Sequence, residues 1–204
     1  MVTPTIAGCT IDCVVRAGDI LGETPLWCDR SQKLWWVDIE RRLHQSFDPA
    51  TGAHEVFPHD CRFLGSHALT SDGSHLLVKD LDLFRRDAAS GSLGLLASVE
   101  HGQDNRLNDG RVDARGRLWI GTMDNALHRP NGSLYRVDPD ASVTRIFGDI
   151  IVPNGITFSP DNRKFYFTDT RRYCTWQGRF KRIPSPFPWP TVRCSGQAAG
   201  SLRG

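Results

Sequence analysis

Long apolar runs are missing from this sequence. No stretch of about 18 hydrophobic residues occurs in its 204 positions, which excludes a single-helix membrane span. Helical spacing of apolar residues is absent over any useful length, so a βαβ layout or a helical solenoid lacks its first requirement. No GxSxG elbow, HExxH pair or glycine-rich phosphate loop appears, which removes the chemistries built on those motifs. The six cysteines (Cys9, Cys13, Cys28, Cys61, Cys174, Cys194) lack the paired close spacing of a zinc ribbon or redox motif, so reduced and mostly buried thiols are expected. The string IAGC at 6–9 follows neither a basic segment nor an apolar stretch, so no export signal is expected and the location is read as cytoplasmic.

Acidic residues are missing after Asp169. Residues 171–204 hold seven arginines and lysines and no carboxylate, so the overall charge of +2 hides a net −5 in the first 170 residues. Pro184, Pro186, Pro188 and Pro190 alternate through that ending, and each removes a ladder donor. The reading is therefore two segments: residues 1–170 folded, and residues 171–204 a basic, proline-rich, disordered tail. That tail lacks the aromatic and basic interleaving of a nucleic-acid groove, so no nucleic-acid partner is expected.

What is present is a repeat. PLWCDRSQKLWWVDI (25–39), ALTSDGSHLLVKD (68–80), GRVDARGRLWIGT (110–122) and GITFSPDNRKFYFTD (155–169) each run from an apolar stretch through an aspartate-centred turn into a β-prone stretch. Their turn aspartates, Asp29, Asp72, Asp113 and Asp161, are 43, 41 and 48 positions apart, the period of a propeller blade. A second hairpin signal lies between successive copies: QSFDPATGAHEVF (45–57), LFRRDAASGSLGLL (83–96) and LYRVDPDASVTRIF (134–147). Each period thus predicts about four strands, and the fold class is an all-β propeller with about four blades in this chain.

Polar clusters precede the first strand of three repeats: Glu23 in LGETPLW, Arg106 and Asn108 in NRLND, and Asn154 in VPNGI. Corresponding positions in a propeller converge on the central channel at one end. A carboxylate with amide oxygens suits a hard divalent cation such as calcium, and manganese, magnesium or zinc also accept such a set. Arg106 can instead grip an oxygen-rich ligand through its planar fork of donors. Taken singly, Asn108 with Asp109 and Gly110, or Asn154 with Gly155, also make ordinary turns. His67, His101 and His128 fit no ligand spacing and are assigned to loops or to a satisfied core.

Together, LGETPLWCDRSQKLWWVDI, NRLNDGRVDARGRLWIGTMD, GSLYRVDPD and VPNGITFSPDNRKFYFTDT resemble the SMP-30/gluconolactonase family over roughly residues 14–170. The resemblance implies a six-bladed propeller with one divalent metal in its channel, calcium or zinc, that hydrolyses a sugar lactone to an aldonic acid. It also implies Glu23 and Asn154 as metal ligands, with Arg106 and Asn108 contacting substrate. The family's base is an aspartate in the blade after FYFTDT, and this chain has no acidic residue there. Asp124 and Asn125 stand where some relatives carry a substrate-binding glutamate. An arc of four blades also leaves sheet edges unpaired, an opening for self-association. The alternative reading is a non-catalytic calcium-binding or partner-binding propeller, as in regucalcin.

Overall fold

The computed structural model describes residues 9–180 together with the backbone of residues 5 and 6. A short ribbon, β1 (Thr5–Ile6) with β2 (Cys9–Thr10), precedes four antiparallel meanders. Blade I is β3 (Gly22–Cys28), β4 (Lys33–Asp38), β5 (Leu43–Phe47) and β6 (His54–Pro58). Blade II is β7 (Leu64–Leu69), β8 (His75–Lys79), β9 (Asp82–Arg86) and β10 (Leu93–Ser98). Blade III is β11 (Asn105–Val112), β12 (Leu118–Asp124), β13 (Gly132–Val137) and β14 (Val143–Ile150). Blade IV is β15 (Pro153–Phe158), β16 (Lys164–Asp169) and, after a 3-10 turn at Thr170–Arg172, β17 (Cys174–Arg179). The first strands lie side by side in the order β3, β7, β11, β15, so they form the inner wall of a propeller arc.

The repeated aspartates act as the turn chemistry predicts. Asp72 accepts the Ser74 N–H, Asp113 those of Arg115 and Arg117, and Asp161 that of Arg163, closing the inner hairpins. Asp48, Asp87 and Asp140 do the same in the outer hairpins, through Ala50, Ala89 and Ser142. A second set, at the ends of the second strands, ties blades I, II and IV to the segments that enter them. Asp38 accepts from Ile20 and Leu21, Asp80 from Arg62 and Phe63, and Asp169 from Ile151 and Val152.

The core lies between blades rather than within them. Val37, Ile39, Leu64 and Leu77 join blades I and II. Val78, Leu83, Leu107, Leu118, Ile120, Tyr135 and Val137 join II and III, and Trp119, Leu134, Ile150, Ile156, Phe165 and Phe167 join III and IV. Each such side chain, once fully buried, contributes roughly 1.5–3 kcal/mol of transfer free energy. Being covered on both faces, β12 is buried at every residue from Leu118 to Asp124, while the outermost β6 and β10 are largely exposed.

Two expectations change. The folded region does not stop at residue 170: β17 pairs with β16 from Asp169↔Cys174 to Lys164↔Arg179, giving blade IV a third strand. The segment CTWQGR is free of proline and carries β-formers, and the prolines taken as strand-breaking begin only at Pro184. The rest of the expected tail, with Cys194, lies outside the described residues. The described cysteines are free thiols, but Cys28 alone among them is buried; Cys9 and Cys13 are exposed because they precede the first blade. Among the described residues no helix is long and apolar enough to cross a membrane.

Candidate functional site

Every inner strand carries a β-bulge at the corresponding place. Between Glu23↔Val37 and Leu26↔Trp35, Thr24 and Pro25 stand opposite one residue of β4, and Thr24 adopts φ 54°. In β7 the extra residue is Gly65, in β11 the bulge is Asn108 with Asp109, and in β15 it is Gly155 with Ile156, where Gly155 has φ 61°. A bulge kinks the strand and re-aims its side chains. Glu23 and Asn154 are the last paired residues before their bulges, and Asn108 lies inside its own.

The bulges touch one another around the wall. Thr24 Oγ1 lies 3.2 Å from Ser66 Oγ, linking blades I and II. Gly65 packs so closely on β11 that a Cβ there would fall 2.2 Å from the Leu107 carbonyl oxygen, which only glycine avoids. From blade III to blade IV, Asn108 Nδ2 donates to Pro153 O at 3.0 Å and to Asn154 Oδ1 at 3.3 Å, and Asp109 Oδ2 accepts the Ile156 N–H at 3.0 Å.

This network orients both amides. Asn108 commits its nitrogen to blade IV, and Asn154 Nδ2 donates to Thr170 Oγ1 at 3.1 Å. Asn108 Oδ1 and the second lone pair of Asn154 Oδ1 are therefore the acceptor positions that this network leaves. Glu23 feels the same neighbourhood from across the wall. Loss of surrounding water raises its pKa above the usual carboxylate value, the charge of Asp109 adds to that, and the Thr24 N–H pulls the other way. Carboxylate and amide oxygens are donors of the hard-oxygen kind that divalent cations take.

Asp109 is the residue that sequence reasoning passed over. Between Asn108 and Gly110 it read as part of a turn, and the signal that could have exposed it was a carboxylate inside the same irregular stretch as a candidate ligand.

Arg106 is set apart from this group. It is buried, its guanidinium carbon stands 4.6 Å over the Phe63 ring, and its Nε has no hydrogen-bond partner. Burial pulls its pKa down, Glu40 opposes that, and Arg62 adds to it. No hydrogen bond or ion pair joins it to Glu23, Asn108 or Asn154 among the described residues. Its Nε is thus a buried donor of blade III that the protein leaves without a partner.

Asp124 and Asn125 do not face the wall. Asp124 is fully buried and held by the Arg129 guanidinium at 2.7 Å, while Asn125 Nδ2 donates to Asp104 at 2.7 Å. Asn125 instead lines a cleft of about 460 Å³ between blades II and III, with Arg62, Asp80, Glu100 and Asp104. Glu23, Asn108 and Asn154 lie outside that cleft, whose shape therefore says nothing of the oxygen-donor group.

Comparison with known proteins gives these positions a context. Residues 21–185 match the family model described as the SMP-30/Gluconolactonase/LRE-like region. A 6-deoxy-6-sulfogluconolactonase of Pseudomonas putida is 36% identical over 173 residues, covering 82% of this chain and 58% of that protein. A pentonolactonase of Haloferax volcanii is 36% identical over 162 residues, covering 79% and 54%. Among solved structures, the calcium-binding protein regucalcin of Agrobacterium tumefaciens superposes with a TM-score of 0.75 at 36% identity, covering 80% of this chain and 55% of that one. The chain spans little more than half the length of the relatives it matches.

Proposed function

The chain belongs to the SMP-30/gluconolactonase/LRE-like family, and from that premise we propose that its inner wall holds one divalent cation, calcium or zinc, and a sugar lactone for metal-dependent hydrolysis to the aldonic acid. The observation that carries the reading is the Asn108–Asn154 contact across blades III and IV: both amide nitrogens are spent on donation, so Asn108 Oδ1 and the second lone pair of Asn154 Oδ1 are what the pair offers a cation. In this reading Glu23 and Asn154 are the metal ligands, Asn108 stands between metal and substrate, and Arg106 grips the lactone through its free donors.

A divalent cation bound there supplies polarisation of the lactone carbonyl and a lowered pKa for an attached water. The protein's own part is positioning. Asn108 is fixed by its two bonds to blade IV, so its oxygen costs no reordering when ligand arrives. Arg106 is likewise held by burial and by its place over Phe63. In hydrolysis, a carboxylate takes a proton from water as the water oxygen adds to the lactone carbonyl carbon, the ring C–O bond opens, and that proton passes to the departing ring oxygen. Lactonases of two sugar classes, at 36% identity, support that substrate class.

A second reading, binding of calcium or a partner without turnover, is favoured by one observation: the chain is 36% identical to regucalcin of Agrobacterium tumefaciens, a calcium-binding protein, with a TM-score of 0.75. One experiment separates the two. Calorimetry with calcium and zinc is followed by a pH-indicator assay on gluconolactone and arabinonolactone, before and after EDTA. Metal-dependent acid release supports hydrolysis, metal binding without acid release supports the second reading, and absence of binding by wild type defeats both.

A further inference from the structure

The geometry points to a second metal site, unrelated to the oxygen-donor wall: a buried tris-imidazole centre of His44, His67 and His75 that takes a zinc-class ion and staples blade I to blade II. His44 comes from β5 in blade I, and His67 and His75 come from β7 and β8 in blade II. One ligand nitrogen from each can be chosen so that all three lie within 4.8 Å of one another. The residues are 0%, 1% and 3% exposed, so water does not serve them.

Four of their six nitrogens are left unanswered by the protein. Both ring nitrogens of His44, Nδ1 of His67 and Nδ1 of His75 are buried without a hydrogen-bond partner. Buried polar atoms in native folds are nearly always paired, so such a concentration at one point needs an explanation. Nε2 of His67 lies 2.8 Å from the Thr24 carbonyl oxygen, which can only accept. His67 must therefore carry its proton on Nε2, and Nδ1 holds a lone pair directed elsewhere. A ligand imidazole tied through its other nitrogen to a backbone carbonyl is the usual outer support of a metal-bound histidine.

The surroundings fit the same role. Trp35 packs against His44 at 4.7 Å and against His75 at 4.3 Å between ring centroids, walling the group on one side. The group is made of imidazoles alone, and the neutral imidazole is the form that coordinates metal. Three imidazoles without a carboxylate or thiolate select a borderline transition ion over calcium. Tetrahedral zinc places its nitrogens roughly 3.4 Å apart, so loading draws the rings inward. His59, with a buried and unpartnered Nε2 and a ring centroid 6.3 Å from that of His44, is the nearest protein candidate for a fourth position.

The test is zinc stoichiometry and ligand identity on the full chain carrying Glu23→Gln, which disables the oxygen-donor wall and so separates the two sites. The expected result is one zinc per chain after dialysis, with X-ray absorption showing a nitrogen shell at about 2.0 Å and imidazole multiple scattering. His44→Phe, which keeps the stacking on Trp35, is expected to weaken zinc binding by roughly 100-fold or more, with His75→Gln doing the same. No zinc retained, a shell of oxygens only, or unchanged affinity in folded His44→Phe and His75→Gln overturns the centre. The absorption spectrum of the Glu23→Gln protein decides the matter even where both histidine variants fail to fold.

Discussion

Asn108 and Asn154, 46 positions apart in the chain, meet side chain to side chain at 3.3 Å across two blades. The same Asn108 nitrogen reaches the Pro153 carbonyl at 3.0 Å, so one amide both joins the blades and sets the direction of two oxygens. Structure and candidate chemistry share these atoms, which makes the pair sensitive to substitution in two measurable ways.

Asn108→Ala removes the donor to a buried carbonyl and to Asn154 together. It is expected to cost about 1–3 kcal/mol of stability, read from urea unfolding. Calcium affinity falls with it. A variant as stable as wild type with unchanged cation binding would remove Asn108 from the site.

Glu23→Gln separates the two properties instead. The Glu23 carboxylate has a raised pKa because lost hydration and the Asp109 charge disfavour its ionised form. Its ionisation therefore opposes folding as pH rises through that pKa, and the neutral amide escapes the penalty. The metal-free variant is expected to melt no lower than wild type at pH 7, while losing at least roughly tenfold in calcium affinity. Differential scanning fluorimetry with and without added cation checks both.

Gly65→Ala tests the spacing of the inner wall. Its new methyl would collide with backbone at Leu107, which cannot swing aside as a side chain tip would. A loss of about 1–3 kcal/mol or more is expected, seen as a lower urea midpoint. An unaffected midpoint would mean that blades II and III are not packed as described.

Acid sensitivity is expected from Asp124. The Arg129 guanidinium and the backbone N–H groups of Arg129 and His128 hold this carboxyl well below the usual carboxylate range. A depressed folded pKa contributes stability above the unfolded value of about 4, and that contribution is lost as pH falls below it. Asp124→Asn should therefore be less stable than wild type at pH 7, with the gap narrowing below about pH 4. Parallel stability curves for the two proteins across that range would show that the ion pair carries none of the acid dependence.

The blade plan was legible in the sequence because the turns that build it are chemically loud. Asp72, Asp113 and Asp161 announce themselves through neighbouring Ser, Gly and Asn, and their period needs no knowledge of what packs where. The bulges were not legible, since a two-against-one register depends on the partner strand and leaves only a subtle mark in LGETPLW or VPNGI. Asp109 stayed hidden for that reason. The three histidines were hidden for another: they are 23 and 8 positions apart on strands of two sheets, so no fixed interval relates them, and His67 alone read as an ordinary core residue. Strand β17 was missed because the arginines and the prolines beyond it dominated the composition of the ending.

The run of bulges along the inner wall has a consequence for how this protein can vary. Residues inside a bulge lie outside the regular strand register, yet here Thr24, Gly65, Asn108 and Asp109 also hold one blade against the next. What the mouth recognises and how the blades grip one another are thereby written in the same few letters of the sequence. A lineage that drifts in its ligand must repair its architecture at the same positions.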